Sequence, residues 1–365
     1  MRSNRIVPFK ISGMDSLGQG VSKEGDKITF VPKAMIGDEG EAMITGEKKG
    51  VAFAKITQLS KSSELRIEPQ CQHFAECPSC HYLHTSYEQE IKFKEENLER
   101  MFRKLNPPKI KVVPALRRFH YRNRVQLHYD LRKKSLGMLD ARSGNIAPIP
   151  QCLIGLEPIT KEIQRLYQNQ NWLNEAPQST PQGHVEIYFH NNECKTTWNK
   201  PYADGGFTQV FEEMNQLLKN ELLLWAKKKN LTTLLDLFAG NGNLSNEMKF
   251  SQRLAVDIYP QGAKEGFYSQ DLYDKNAQRN VLQKLKSLKI SPDYLLLDPP
   301  RSGMKDLSLW VDELKPKSIA YVSCDPHTLV RDVASLDDYR IDELHLYDFF
   351  PSTFHFETMI FLERN

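Results

Sequence analysis

The sequence predicts an α/β protein in which a mainly parallel sheet with helices on both faces follows a small β-barrel and a β-rich central region. Three observations predict this architecture. From residue 205 to residue 365, apolar strand-like runs alternate with helical patterns. Residues 1–62 contain short β-rich runs separated by glycine-containing turns. Residues 63–204 hold segments in which apolar and polar residues alternate.

The composition is that of a globular protein, with 40% hydrophobic and 26% charged residues. At 365 residues the chain is too long for one ordinary core, so two or three domains are expected. A net charge of +3 permits RNA binding without predicting it. The N-terminus has no apolar stretch of signal-peptide length, and no run approaches the ~18 residues that span a bilayer. We therefore expect a cytoplasmic protein with no membrane partner.

The first 62 residues are predicted to form the barrel. Its strand-like runs lie at residues 27–32, 41–50 and 51–60. Small barrels commonly present one face to nucleic acid. A generic five-stranded barrel without an RNA role is the alternative, because barrel folds host many functions.

Four of the six cysteines form a second motif. Cys71, Cys77 and Cys80 are separated by five and two residues, and Cys152 follows in a later segment. In a cytoplasmic protein this set indicates a metal site rather than disulfides. Four thiolates suit zinc or an iron–sulfur cluster; spacing alone favours neither, and zinc is the first choice without further context, with free buried thiols as the alternative. Cys194 matches no motif and is expected to be a small core residue.

An amphipathic helix and a β-rich region follow the cysteine motif. Residues 87–105 place apolar side chains such as Ile91 and Leu98 at helical spacing, and we expect this helix to contact the C-terminal domain. In the β-rich region, Arg122 and Arg124 lie among aromatic residues. An RNA-facing strand and a solvated strand face explain this pattern equally well.

A glycine-rich turn follows the apolar run at residues 234–238. Gly240 and Gly242 permit a tight turn and a close approach of the backbone to a ligand. The next strand ends at Asp257, whose carboxylate can accept hydrogen bonds from ribose hydroxyls. No Gly-Lys-Ser/Thr sequence follows, which excludes a phosphate-binding P-loop. Many open α/β sheets have such a turn, so the turn alone does not specify a cofactor.

Two later strand ends carry side chains suited to catalysis. One apolar run ends in Asp298-Pro299-Pro300-Arg301, and another continues into Cys324 and Asp325-Pro326. Arg301 directly follows the two prolines, so a cation lies close behind the acidic strand end. A thiolate is both a strong nucleophile and a good leaving group, although a cysteine at a strand end can also be buried and inert.

Together, the motifs at residues 234–243, 294–304 and 321–332 resemble the RNA uracil-5-methyltransferase family, whose members transfer a methyl group from S-adenosylmethionine to carbon 5 of a uridine. The resemblance implies a Rossmann-like methyltransferase domain at residues 205–365. It also implies that Cys324 adds to carbon 6 of uracil and that Glu357 removes the carbon 5 proton. The residues that it implies for the S-adenosylmethionine site are Gln209, Phe238, Asn243, Asp257, Asp271 and Asp298.

Two features of the cofactor-binding region depart from the family pattern. Phe211 stands where the family usually has asparagine, and the segment after Asp257 is shorter than usual. That segment leaves little room for a helix before Asp271, so we expect the adenine wall to be altered or incomplete.

The N-terminal part is similar to the TRAM domain, an oligonucleotide-binding-like barrel of RNA-modifying enzymes. Family members with this domain bind a [4Fe-4S] cluster through the same cysteine spacing, which implies such a cluster on Cys71, Cys77, Cys80 and Cys152. Barrel and cluster favour 23S ribosomal RNA over transfer RNA as the partner of a monomeric enzyme. Three competing hypotheses are a tRNA uridine methyltransferase, a non-catalytic RNA-binding protein on a degenerate methyltransferase scaffold, and an iron–sulfur redox sensor.

Overall fold

The computed structural model describes residues 5–200, 209–258 and 266–365, which divide into two compact units. The first unit holds the described parts of Met1–Asn97, Leu116–Phe211 and Phe350–His355. The second unit holds the described parts of Leu98–Ala115, Glu212–Phe349 and Phe356–Asn365. The predicted domain boundaries near residues 62 and 205 stay predictions.

The first unit begins with a closed barrel of five strands in the order β1-β2-β3-β5-β4. Its strands are β1 (Ile6–Met14), β2 (Gln19–Ser22), β3 (Ile28–Pro32), β4 (Glu39–Lys48) and β5 (Val51–Lys61). Alternate residues of each strand face inward, and Phe9, Val31 and Ile44 are buried in its core. The predicted barrel is therefore confirmed.

A helix and a second sheet complete the first unit. Helix α1 (Tyr87–Phe102) ends in a short 3₁₀ turn and occupies the predicted segment, although its last residues belong to the second unit. The sheet has the order β11-β10-β7-β8-β9. Its strands are β7 (Arg124–Asp130), β8 (Ser135–Leu139), β9 (Ile146–Ala147), β10 (Gln182–His190) and β11 (Glu193–Trp198).

Two features of this region differ from the sequence-based expectations. Helices α2 (Glu157–Tyr167) and α3 (Asn171–Glu175) interrupt the β-rich region, and α2 buries Ile159 and Ile163 on one face. Cys194 is exposed, so its assignment to the core was wrong. The reason is topological: Cys194 lies on β11, the edge strand of this sheet.

The second unit is a sheet of eight strands in the order β14-β13-β12-β15-β16-β18-β17-β6. The strands are β6 (Lys111–Val113), β12 (Thr233–Leu237), β13 (Gln252–Asp257), β14 (Phe267–Ser269), β15 (Tyr294–Leu297), β16 (Ser318–Ser323), β17 (Tyr339–Tyr347) and β18 (Glu357–Arg364). The helices wholly in this unit are α4 (Glu212–Lys228), α5 (Ala277–Leu288), α6 (Leu307–Leu314) and α7 (Pro326–Val333).

Strand direction in this sheet decides where the functional side chains lie. Strands β14, β13, β12, β15 and β16 are parallel, whereas β18 runs antiparallel to β16 and β17. Strands β15 and β16 are buried along their whole length, as expected for the centre of a doubly covered sheet. The predicted Rossmann-like fold is therefore confirmed. Within the described ranges, no helix is both long and apolar enough to cross a membrane.

Candidate active site

The carboxyl ends of the parallel strands bring three predicted site residues to one edge of the sheet. Asp298 follows β15, and Cys324 follows β16. Glu357 is the first residue of β18, and the pairing of Ser323 with Thr358 places it beside the end of β16. An antiparallel strand thus supplies a side chain at the edge where the parallel strands end.

The polar groups at this edge share one electrostatic environment. Burial raises the pKa of the Cys324 thiol to about 12; Glu357 and Asp298 add to the rise, while the charge and hydrogen bond of Arg301 oppose it. Burial, and then the charge of Asp298, raises the pKa of Glu357 well above its usual range. The pKa of Asp298 rises to about 7, through burial and the nearby Asp236. Arg301 therefore supplies the positive charge that favours the Cys324 thiolate.

The turn after β16 explains why Cys324 is followed by an aspartate and a proline. The Asp325 side chain accepts a hydrogen bond from the His327 amide at 3.0 Å, which caps helix α7. Pro326 occupies the first helical position, where a proline suits the helix. The Ser323 hydroxyl accepts from the Asp325 amide at 3.1 Å. These contacts fix the backbone on both sides of Cys324.

The turn that carries Arg301 is held by Asp332, a residue that the sequence analysis did not single out. Asp332 is buried and accepts hydrogen bonds from the Met304 amide at 2.6 Å and the Tyr321 hydroxyl at 2.7 Å. Gly303 in this turn has φ +68°, and a Cβ there would lie 2.4 Å from the Asp332 carboxylate. The signal that could have revealed it is an aspartate between the apolar positions Leu329 and Val333, which helix α7 buries together with it.

The glycine-rich turn after β12 adopts the tight conformation that the sequence predicts. Gly240 and Gly242 both have positive φ, and the Gly240 amide donates to Asp257 Oδ2 at 2.9 Å. Phe238 has φ +62°, and its ring centre lies 5.5 Å from that of Tyr273. The Tyr273 hydroxyl is 2.7 Å from the Ser302 hydroxyl. Tyr273 is a further residue missed in the sequence; an aromatic side chain two positions after Asp271 was the only hint.

Other predicted cofactor residues are placed differently. The Asn243 and Asn215 amides bond each other at 3.0 and 2.9 Å, which turns Asn243 towards α4. Asp271 is exposed and accepts from the Tyr273 amide at 2.9 Å. Gln209 belongs to the first unit, where its carbonyl accepts from Asn123 at 3.0 Å. The roles of Asn243, Asp271 and Gln209 at the cofactor stay predictions.

The shortened segment after Asp257 lies partly outside the described residues. Its described positions, 258 and 266–271, contain no helix, and β14 begins at Phe267. The altered adenine wall stays a prediction.

All four cysteines of the second motif belong to the first unit. Cys77, Cys80 and Cys152 are buried, Cys71 is half-buried, and all four are free thiols. Burial raises the pKa of Cys80, and the charges of the other three thiols raise it further. The four side chains are thus close enough to act on one another, as the ligands of one metal group would be.

A second group of side chains with metal-ligand chemistry lies in the second unit. Among the described residues, Glu221, Glu343 and His345 have three ligand atoms within 4.8 Å of one another. Lys111 and Lys228 already pair with Glu343, which makes the acidic group an ion-pair network.

Comparisons with known proteins agree with this geometry. The family described as tRNA (Uracil-5-)-methyltransferase matches residues 267–365, a range that contains Asp298, Cys324 and Glu357. The 23S rRNA (uracil(1939)-C(5))-methyltransferase RlmD of Shewanella woodyi is 27% identical over 437 aligned positions, covering 98% of this chain and 96% of the relative. The protein of that name from Shewanella frigidimarina is 26% identical, with the same coverage.

Nearly the whole of this chain is similar to RNA uracil-5-methyltransferases. A solved structure shows the same fold: the Pyrococcus abyssi tRNA (uracil-54, C5)-methyltransferase in complex with S-adenosyl-L-homocysteine has a TM-score of 0.69 and 20% identity, covering 97% of this chain and 99% of that one. The resemblance to the RNA uracil-5-methyltransferase family that the sequence motifs indicate is therefore confirmed.

Proposed function

We propose that this protein transfers a methyl group from S-adenosylmethionine to carbon 5 of a uridine in 23S ribosomal RNA, through a covalent adduct with Cys324. The observation that carries the proposal is the presence of Cys324, Asp298, Arg301 and Glu357 at one edge of the sheet. Relatives named for 23S rRNA that match nearly the whole chain support ribosomal RNA over transfer RNA. The Pyrococcus structure, named for a tRNA, keeps tRNA as the second candidate.

The reaction begins at the thiol. The Cys324 thiolate, favoured by Arg301, adds to carbon 6 of the uracil, and the electrons of the carbon 5–carbon 6 double bond move towards the carbon 4 oxygen. S-adenosylmethionine supplies an electrophilic methyl group when it is bound. Phe238, Asp257 and Asp298 would hold it so that carbon 5 of the uracil accepts that methyl group, with S-adenosylhomocysteine as the second product. The uracil must leave its stack to reach Cys324, which favours a loop over an intact helix.

Elimination then requires a base. Glu357 accepts the carbon 5 proton, the double bond re-forms, and Cys324 departs as a thiolate. The negative charges of ionised Glu357 and ionised Cys324 repel each other, and burial of both side chains leaves little water to screen the repulsion. Formation of the thioether removes the sulfur charge and thereby favours the ionised Glu357 that proton removal needs. Asp298 is proposed to contact both cofactor and uracil, while Phe238 and Asp257 form the cofactor wall.

The covalent route is tested with purified protein, labelled S-adenosylmethionine, and transcripts of 23S rRNA fragments and tRNA. Cys324→Ala should abolish methylation and leave S-adenosylmethionine binding nearly intact. Glu357→Gln should stall at elimination, so that a methylated protein–RNA adduct persists on denaturing gels. Turnover by Cys324→Ala would refute the covalent route. Methylation of the tRNA transcript alone would favour the second candidate.

We also infer that the four cysteines bind a [4Fe-4S] cluster and that the barrel is a TRAM domain that holds RNA. The mutual electrostatic effect of four free thiols supports one shared metal group, and the family resemblance favours a cluster over zinc. Protein purified without oxygen should be brown and contain about four irons. A colourless protein with one zinc would overturn the cluster without affecting the catalytic assignment. A cytoplasmic monomer stays a prediction.

A further inference from the structure

A lysine of the barrel contacts the turn that carries three of the cysteines. Lys33 follows β3, and its ammonium donates to the carbonyl oxygens of Phe74, Ala75 at 3.1 Å and Cys77 at 2.9 Å. The same ammonium lies 4.8 Å from the centre of the Phe74 ring. An ammonium has three protons to donate, so all of its bonding capacity can be used by this turn.

The backbone of Lys33 is itself held in place. Its φ of +61° lies in the left-handed region, which is uncommon for a residue with a side chain. Its carbonyl accepts from Arg66 Nη2 at 2.8 Å, and Arg66 pairs with the buried Asp38 at 2.7 Å. Asp38 also accepts from the Met35 amide at 2.6 Å and the Ser63 amide at 2.9 Å. These contacts stabilise the unfavourable backbone conformation of Lys33, and this conformation places the Lys33 ammonium against the cysteine turn.

The charge of Lys33 acts on the same turn. The Lys33 ammonium lies 2.9 Å from the Cys77 carbonyl oxygen, so its positive charge is fixed beside the cysteines of the turn. A metal group bound by four thiolates carries negative charge that grows on reduction. A fixed positive charge in a partly dry setting favours the reduced, more negative form.

We propose that Lys33 is a positioning residue for the metal group that the four cysteines bind. It holds the Cys71–Cys80 turn in its ligand-bearing shape through the backbone, and it places one positive charge beside the bound group. This inference rests on the proposed cysteine-bound cluster. It adds Lys33, which is not a ligand, as a residue that controls how firmly the protein retains the cluster and how easily the cluster is reduced.

The test compares two lysine-to-methionine variants of the full-length protein, purified without oxygen. Lys33→Met keeps the apolar stem and removes the donors and the charge. Lys55→Met is the matched control, because Lys55 lies 3.8 Å from Glu76 in the same turn, with both side chains mainly exposed. Both variants change the net charge equally. Iron release to a chelator and the reduction potential are measured, with S-adenosylmethionine binding as the check on folding.

Lys33→Met should release iron about tenfold faster or more, as expected when charge-assisted hydrogen bonds are lost, and its potential should be more negative. Lys55→Met should stay within about twofold of the unchanged protein in release rate, because exposed pairs contribute little. Equal behaviour of the two variants would overturn the role of Lys33. An unchanged protein that binds no iron would instead overturn the proposed cluster. If Lys33→Met is insoluble, Lys33→Gln is measured in its place, and a potential equal to that of Lys55→Met overturns the proposal.

Discussion

Replacing Glu357 by glutamine is expected to make Cys324 more reactive while it abolishes turnover. Burial and the Glu357 carboxylate raise the pKa of Cys324 to about 12. At about pH 8, a thiol with that pKa has roughly one thiolate in ~10⁴ molecules. Two charges ~5 Å apart at an effective dielectric constant of ~20 repel by about 3 kcal/mol, or about two pKa units. Removing the carboxylate should therefore speed thiolate chemistry by about tenfold to about a hundredfold.

The effect of Glu357 on the reactivity of Cys324 should depend on pH. The pKa of Glu357 is itself raised well above its usual range by burial and by Asp298. While Glu357 is protonated it carries no charge, so Glu357→Gln and the unchanged protein should react alike at low pH. As the pH rises through the pKa of Glu357, its carboxylate forms and suppresses the Cys324 thiolate in the unchanged protein alone. The ratio of the two rates should grow with pH.

The assay is alkylation by iodoacetamide from about pH 6 to about pH 10, followed by mass spectrometry of the peptide that contains Cys324. The exposed Cys194 reports the reactivity of an accessible thiol in the same sample. Arg301→Met should slow alkylation, because Arg301 lowers the pKa of Cys324. Alkylation of Glu357→Gln at or below the rate of the unchanged protein at every pH would refute the electrostatic reasoning.

Three further outcomes are expected. Glu90→Gln should lower the free energy of unfolding by about 3–5 kcal/mol in denaturant titrations, because it removes the carboxylate charge that pairs with the fully buried Lys94 at 2.8 Å. The exposed Glu88→Gln should change the free energy of unfolding little. Asp332→Asn should lower kcat and leave alkylation of Cys194 unchanged, since it loosens the turn that carries Arg301. Deletion of the barrel should weaken RNA binding and flatten its salt dependence, as filter binding across a salt series would show, while S-adenosylmethionine binding persists. Equal salt slopes would assign RNA recognition to the sheet around Arg124.

Much of the second unit could be predicted because its central strands are continuous apolar runs. Strands β15 and β16 are buried on both faces, so the sequence alone marks them and the residues that follow, Asp298 and Cys324. Strand β17 was missed because it mixes charged and apolar residues: its first half is half-buried, and its alternation is broken by a register shift after Ile341. Strand β6 has three residues, which is too short for any periodicity.

The residues of the candidate site also differ in whether the sequence alone could predict them. Reactive groups that directly follow a buried strand can be recognised in the sequence. The side chains that support them cannot, because their role comes from contacts with distant segments. Asp332 holds a turn 28 positions away, and Lys33 contacts carbonyls 41 to 44 positions away. Nothing in a local pattern specifies such pairs. The reciprocal amide bonds between Asn243 and Asn215 were unpredictable for the same reason.

The last segment of the first unit, Phe350–His355, has a consequence for how the protein is made. The amides of His81 and Tyr82, directly after Cys80, both donate to the Ser352 carbonyl, at 2.7 and 3.1 Å. The Ser352 amide in turn donates to Glu90 at 2.6 Å. Synthesis from the N-terminus delivers Cys80 long before Ser352, so the backbone partners of this region are complete only once Ser352 has left the ribosome. A nascent chain that stops before Ser352 should therefore lack the carbonyl that accepts from His81 and Tyr82, and the segment after Cys80 should become ordered only after Phe350–His355 has been made.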